Sequence, residues 1–189
     1  MIFFSKFLKE VSTIGFIGMV IIMENIKIFE SVINSDIINE IEDANWCTDL
    51  VQYATCKCKI DGLIAAAYLF CPQIIQVKDY IFIEQFWNCN EDDSFDRISR
   101  LEEQYHNDKK AIEMSVNTWS IGDFFVGEAS ELMDNPKITS QFAEAIVFFW
   151  KSRVKDLFPD KKIVVKLDND LMGEFGLCVT MYEDIAEKK

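Results

Sequence analysis

The apolar residues Phe142, Ala145, Ile146, Phe149, Trp150, Val154 and Leu157 recur every three or four positions in the stretch NPKITSQFAEAIVFFWKSRVKDLFPD. That spacing gathers them on one broad stripe and predicts the strongest helix of the chain. The helix should end at Phe158, because the residue before Pro159 is pushed out of the α region. A similar period at Phe29, Val32, Ile33, Ile37, Ile38 and Ile41 predicts helix between Asn25 and Ala44, with Ser35 and Asp36 as the cap of a second segment. TDLVQYATCKCKIDGLIAAAYLFCP predicts one helix or two, ending before Pro72, with AAAYLF as a buried turn whose alanines permit close packing.

In QIIQVKDYIFIEQFW the period shortens to two. Ile75, Val77, Ile81 and Ile83 alternate around Lys78 and Asp79, the pattern of two short antiparallel strands. NCNEDDSFDRISRLEEQY opens with acids that suit the positive end of a helix dipole, and helical patterning runs on through KKAIEMSVNTWSIGDFF. KIVVKL and LCVTMY read as a second pair of strands joined by DNDLMGEFG. The order helix, hairpin, several helices, hairpin predicts an α+β fold. It would be a single globular domain over residues 23–189, with an antiparallel sheet built from two hairpins and helices packed on one face.

Composition supports one core. Of 189 residues, 50% are hydrophobic and sixteen are Phe, far above the apolar content of a disordered chain. Three Pro and seven Gly leave little material for a linker.

The first residues stand apart. Lys6 and Lys9 precede an apolar run from Ile14 to Met23, which resembles the start of a signal peptide but lacks a small-residue cleavage site. Ten residues are too few to span a bilayer, which takes roughly 20. Residues 1–22 therefore have three readings: an appendage ahead of a true start at Met23, a weak membrane anchor, or a helix packed on the core.

The formal net charge of −13 changes the functional picture more than the fold. It excludes a general nucleic-acid binder, which needs clustered Lys and Arg against phosphate. It suits solubility and a basic protein partner, whose encounter an acidic surface accelerates. The one basic island is Lys151, Arg153, Lys155, Lys161, Lys162 and Lys166. Its first three members fall where cations complement a helix C-terminus, and Lys162 and Lys166 fall on the wet face of a strand.

Chemical signatures are sparse. His106, in EEQYHNDKK, is the single histidine and the weak candidate for catalysis, with any cysteine partner having to meet it in space. The six cysteines at 47, 56, 58, 71, 89 and 178 lie in apolar runs, with no CxxC pair and no metal-ligand spacing, so free and mostly buried thiols in a reducing compartment are expected. Asp168, Asp170 and Gly173 imitate part of a calcium loop, but Met172 and Val179 occupy positions that require oxygen ligands. No phosphate-binding, nucleophile-elbow or zinc-protease motif occurs. No metal and no cofactor is expected. Glu91, Asp92, Asp93 and Asp96 form an acidic cluster expected to contact a partner.

The leading reading is an acidic cytoplasmic protein-binding protein of bacterial style, immunity- or antitoxin-like, that neutralises a basic protein partner. The alternative is a small hydrolase or transferase with a site assembled from scattered residues. The third is a peripheral membrane protein tethered by residues 1–22.

Overall fold

The computed structural model describes residues 22–23, 26–27, 30–41, 44–87, 91–125 and 131–185. The chain divides into two units, residues 1–32 and 33–189. In the first, β1 (Ile22–Met23) pairs antiparallel with β2 (Ile26–Lys27). Residues 1–21, which carry most of the expected appendage, lie outside the described residues.

The second unit is α+β. After a 3-10 helix at Ser35–Glu40 come α1 (Leu50–Lys57), α2 (Ile60–Phe70), β3 (Ile74–Val77), β4 (Tyr80–Ile83), α3 (Glu84–Trp87), α4 (Glu91–Gln104) and α5 (Lys109–Asn117). Then follow β5 (Trp119–Ser120), 3-10 turns at Gly122–Phe125 and Glu131–Asp134, α6 (Pro136–Leu157), β6 (Ile163–Asn169) and β7 (Leu177–Glu183).

Helix α6 has the expected bounds, and local chemistry explains both ends. The Asn135 side chain accepts the Lys137 N–H, and Pro136 fills the first turn, where a missing N–H is harmless. The other end is Phe158, ahead of Pro159. The helix expected between Asn25 and Ala44 is replaced, over its described residues, by strand β2 and the short 3-10 helix. Ser35 and Asp36 lie inside that turn, and Asn34 caps it by accepting the Asp36 N–H. Tertiary bonds hold it: the Asn34 N–H donates to Gln141 Oε1 at 2.7 Å, and Glu40 pairs with Lys137, both on α6.

The two expected hairpins are present, with Val77 opposite Tyr80 and Asn169 opposite Leu177 at their turns. They do not make one sheet. β3 and β4 stand as a pair, while β5, β7 and β6 form a second sheet in that order. The extra strand is the stretch whose pattern predicted continued helix. At Thr118 the backbone extends, Trp119 pairs with Val179, and the Thr118 hydroxyl donates to that of Thr180 at 2.8 Å.

β4 is buried at all four positions because it separates two cores. Ile81 and Ile83 join Ile146, Trp150, Val154, Val165, Val179 and Met181 against α6. Tyr80 and Phe82 turn the other way, toward Trp87, Ile98, Ile112 and Val116. The even alternation of a strand thus serves two apolar clusters at once.

Candidate functional site

Helix α2 is apolar on nearly every side, the composition of a helix enclosed by a core. None of its residues is buried. The expected buried AAAYLF turn is corrected accordingly: Ala65, Ala67 and Tyr68 are exposed, and Ala66, Leu69 and Phe70 are half-buried. The helix docks by one edge. Phe70 meets Phe142 and Phe149 of α6 with ring centroids 5.9 and 5.3 Å apart, and the Trp150 indole N–H donates to the Leu69 carbonyl at 3.1 Å. Its other side carries Ile60, Leu63, Ile64 and Tyr68, spaced by three or four residues and therefore contiguous along the helix. Ile60 is 77% exposed and Ile64 66%.

Phe149, which touches Phe70, is itself half in solvent and stacks edge-on with exposed Phe148. The free side of α2 and this part of α6 both leave large apolar side chains in water. Helix α1 likewise buries nothing, and its Val51 is 73% exposed.

The acidic cluster is partly on display. Glu91 and Asp92 open α4, and their side chains lie outside the described residues. Asp93 and Asp96 are exposed, one turn apart on the same helix. Between them Ser94 points inward and accepts the Trp87 indole N–H at 3.1 Å, while Phe95 is 62% exposed. Arg97 leans over the Trp87 ring at 4.3 Å. The acids therefore flank an aromatic side chain in solvent.

His106 follows α4 in the left-handed region at φ 52°, as does Asn107 at φ 60°. The Asn107 N–H returns to the Glu102 carbonyl at 2.8 Å, so these residues close the helix C-terminus. The His106 side chain is exposed and makes no hydrogen bond or ion pair among the described residues. Among the described residues it has no orienting partner of the kind a general base requires.

Three of the six cations of the basic island, Lys161, Lys162 and Lys166, are held in ion pairs. Lys161 bonds Asp79 at 3.0 Å and Glu183 at 2.8 Å, and Lys109 of α5 bonds the same two carboxylates at 2.6 and 2.7 Å. Lys162 pairs with Asp184, and Lys166 with Asp168. Asp79 is held below the usual carboxylate range by the bonds from Lys109 and Lys161. Burial pushes Glu183 up, but the same two lysines outweigh it and the net direction is down.

Five cysteines, 47, 56, 58, 71 and 178, are free. The expectation that they are mostly buried is corrected for these five, since Cys56, Cys58 and Cys71 are exposed, Cys47 is half-buried and only Cys178 among them is buried. Cys56 lies in α1, Cys58 caps that helix and Cys71 caps α2, and neither helix buries any of its residues. Cys89 lies outside the described residues. The DNDLMGEFG loop is a turn: Asp170 bonds Gly176 through its side chain, and Gly173 and Gly176 take φ of 91° and 75°.

No known family model, curated protein or solved structure matches this chain. The surface must speak for itself. Among the described residues, no group of three His, Cys, Asp or Glu is arranged to hold a metal ion, and no helix is long and apolar enough to cross a membrane.

Proposed function

We propose that this chain is a protein-binding protein, whose contact surface is the apolar side of α2 with the adjoining Phe148 and Phe149 of α6. The observation that supports it is the exposure of Ile60, Leu63, Ile64 and Tyr68 on a helix that buries none of its residues. Leaving Ile60 and Ile64 mostly in water forgoes up to roughly 1.5–3 kcal/mol each of burial, which a partner recovers on docking. The net charge of −13 favours a basic partner, drawn in by acids such as Asp93 and Asp96, as an immunity or antitoxin protein draws in a basic toxin. Free cysteines fit a reducing, cytoplasmic compartment.

The test is to capture partners from the source cells, purify the best-enriched one and measure its binding by surface plasmon resonance. Ile64→Glu combined with Tyr68→Ala should raise Kd at least tenfold while circular dichroism stays native. A purified partner that binds wild type and the double variant equally overturns the assignment of this face. A partner without basic character overturns the electrostatic part.

A further inference from the structure

The stretch before α1 folds back along that helix. The Thr48 N–H donates to Gln52 Oε1 at 2.7 Å, and Asp49 accepts the Gln52 N–H at 2.8 Å, which fixes the start of the turn. At its far end the Lys57 ammonium lies over the Trp46 ring, 5.7 Å from the centroid. With 48 beside 52 and 46 beside 57, Cys47 is brought toward Cys56, the residue that precedes Lys57 in the last turn of α1. Both thiols are free; Cys56 is exposed and Cys47 half-buried. Burial raises the Cys47 thiol above its usual range, and Cys56 is close enough to raise it further, while Lys57 acts in the opposite sense.

We propose that Cys47 and Cys56 are a redox pair that closes into a disulfide on meeting an oxidised small thiol of the glutathione type. The two residues differ in the way such a pair requires. Cys56 is open to solvent, so a bulky disulfide can reach it. Its thiolate attacks one sulfur of glutathione disulfide, forming a mixed disulfide and releasing one glutathione. Cys47, less accessible and held within reach, loses its proton and attacks the Cys56 sulfur, expelling the second glutathione. Two protein S–H bonds are lost, one S–S bond forms, and the reagent's disulfide is reduced to two thiols that carry the two protons away. The product clips the strap at residues 46–49 to the end of α1. In a reducing compartment it would be transient, the form in which cytosolic disulfides occur.

The full chain is treated with glutathione disulfide, free thiols are blocked by alkylation, and peptides are analysed by mass spectrometry. The expected product is a peptide holding both Cys47 and Cys56, lighter by two hydrogen atoms and restored by reductant. Cys47→Ser should leave Cys56 trapped as a lasting glutathione adduct. Cys58→Ser should leave bond formation unchanged, and Cys56→Ser should slow modification of Cys47 at least tenfold. Separate adducts at Cys56, Cys58 and Cys71 in the wild type, with Cys47 unmodified, overturn the pair. A bond between Cys56 and Cys58 does so equally.

Discussion

Glu113 and Asn117 stand one turn apart on α5 and together bridge the gap between β4 and β7. The Glu113 carboxylate accepts the Ile81 N–H at 2.9 Å and the Glu183 N–H at 2.6 Å. The Asn117 amide accepts the Ile83 N–H at 2.9 Å and donates to the carbonyls of Ile81 and Met181 at 2.8 and 3.1 Å. Two strand edges that do not pair directly are satisfied by side chains instead, which answers the demand that buried backbone groups find partners. Lys109, one turn before Glu113, continues the same line into the ion pairs with Asp79 and Glu183.

Removing either side chain should therefore leave buried backbone groups unpaired. Glu113→Gln presents an amide N–H₂ where one of two backbone donors needs an acceptor, and Asn117→Ala abandons three bonds. Each should lower stability by about 1–3 kcal/mol, read from urea unfolding. Because both act on Ile81, the double variant should lose less than the sum. Wild-type stability in Glu113→Gln refutes the bridging role.

Stability should depend on pH in two opposed ways. Asp79 and Glu183 titrate below the usual range when folded, so their contribution is present above that range and is lost as pH falls through it and below. Glu113 shifts the other way: burial raises it, against the backbone bonds and Lys109 that lower it. The folded chain keeps its proton where the unfolded chain has released it, so this contribution declines as pH rises from the usual carboxylate range through the raised value. Denaturation midpoints measured across pH should show acid loss that is reduced in Lys109→Met. Glu113→Gln should remove the decline on the higher side.

The native chain should react with a thiol reagent in distinct phases. Cys56, Cys58 and Cys71 are exposed and should be modified quickly, with buried Cys178 slower than these. Without reductant, the denatured chain should release all six equivalents found in the sequence. A fast Cys178 would contradict its burial.

His106 should be dispensable. Its exposed side chain predicts that His106→Gln changes stability by less than about 0.5 kcal/mol. His106→Gly should be neutral or stabilising, because φ 52° suits glycine. A hundredfold loss of any activity later measured for the chain, the scale of general acid–base catalysis, would restore the histidine as catalytic.

Association with a basic partner should slow as salt rises, since exposed charges are screened over about 8 Å at physiological ionic strength. Asp93→Asn with Asp96→Asn should lower the on-rate more than it alters dissociation. Charge reversal at Lys151 and Lys155 should leave that rate unchanged or slightly faster. The opposite pattern would make the basic island the working surface.

Much of the secondary structure was legible because its causes are local. The period of Phe142 to Leu157, the prolines at 72 and 159, and the alternation around Lys78 and Asp79 each act within a few residues. The acids at 91–96 were legible as a helix start on the same ground. Asn34 could have been read as a cap, but its choice over Ser35 and Asp36 depends on Gln141, which is 107 positions away.

What the sequence determined by itself was an α+β chain with α6, two hairpins and an excess of negative charge, because periodicity, proline geometry and charge need no partner to take effect. Only the tertiary structure decided that the hairpins fall in separate sheets bridged by Glu113 and Asn117, since nothing near those residues in sequence names the edges they satisfy. The same holds for the candidate surface. Apolar composition makes α2 a helix that must pack somewhere, but which side it turns to α6 and how much it leaves in water depend on Phe70, Phe142, Phe149 and Trp150 meeting in space. Hydrophobicity states that a residue gains by burial, and it carries no information about whether this chain or another supplies the cover.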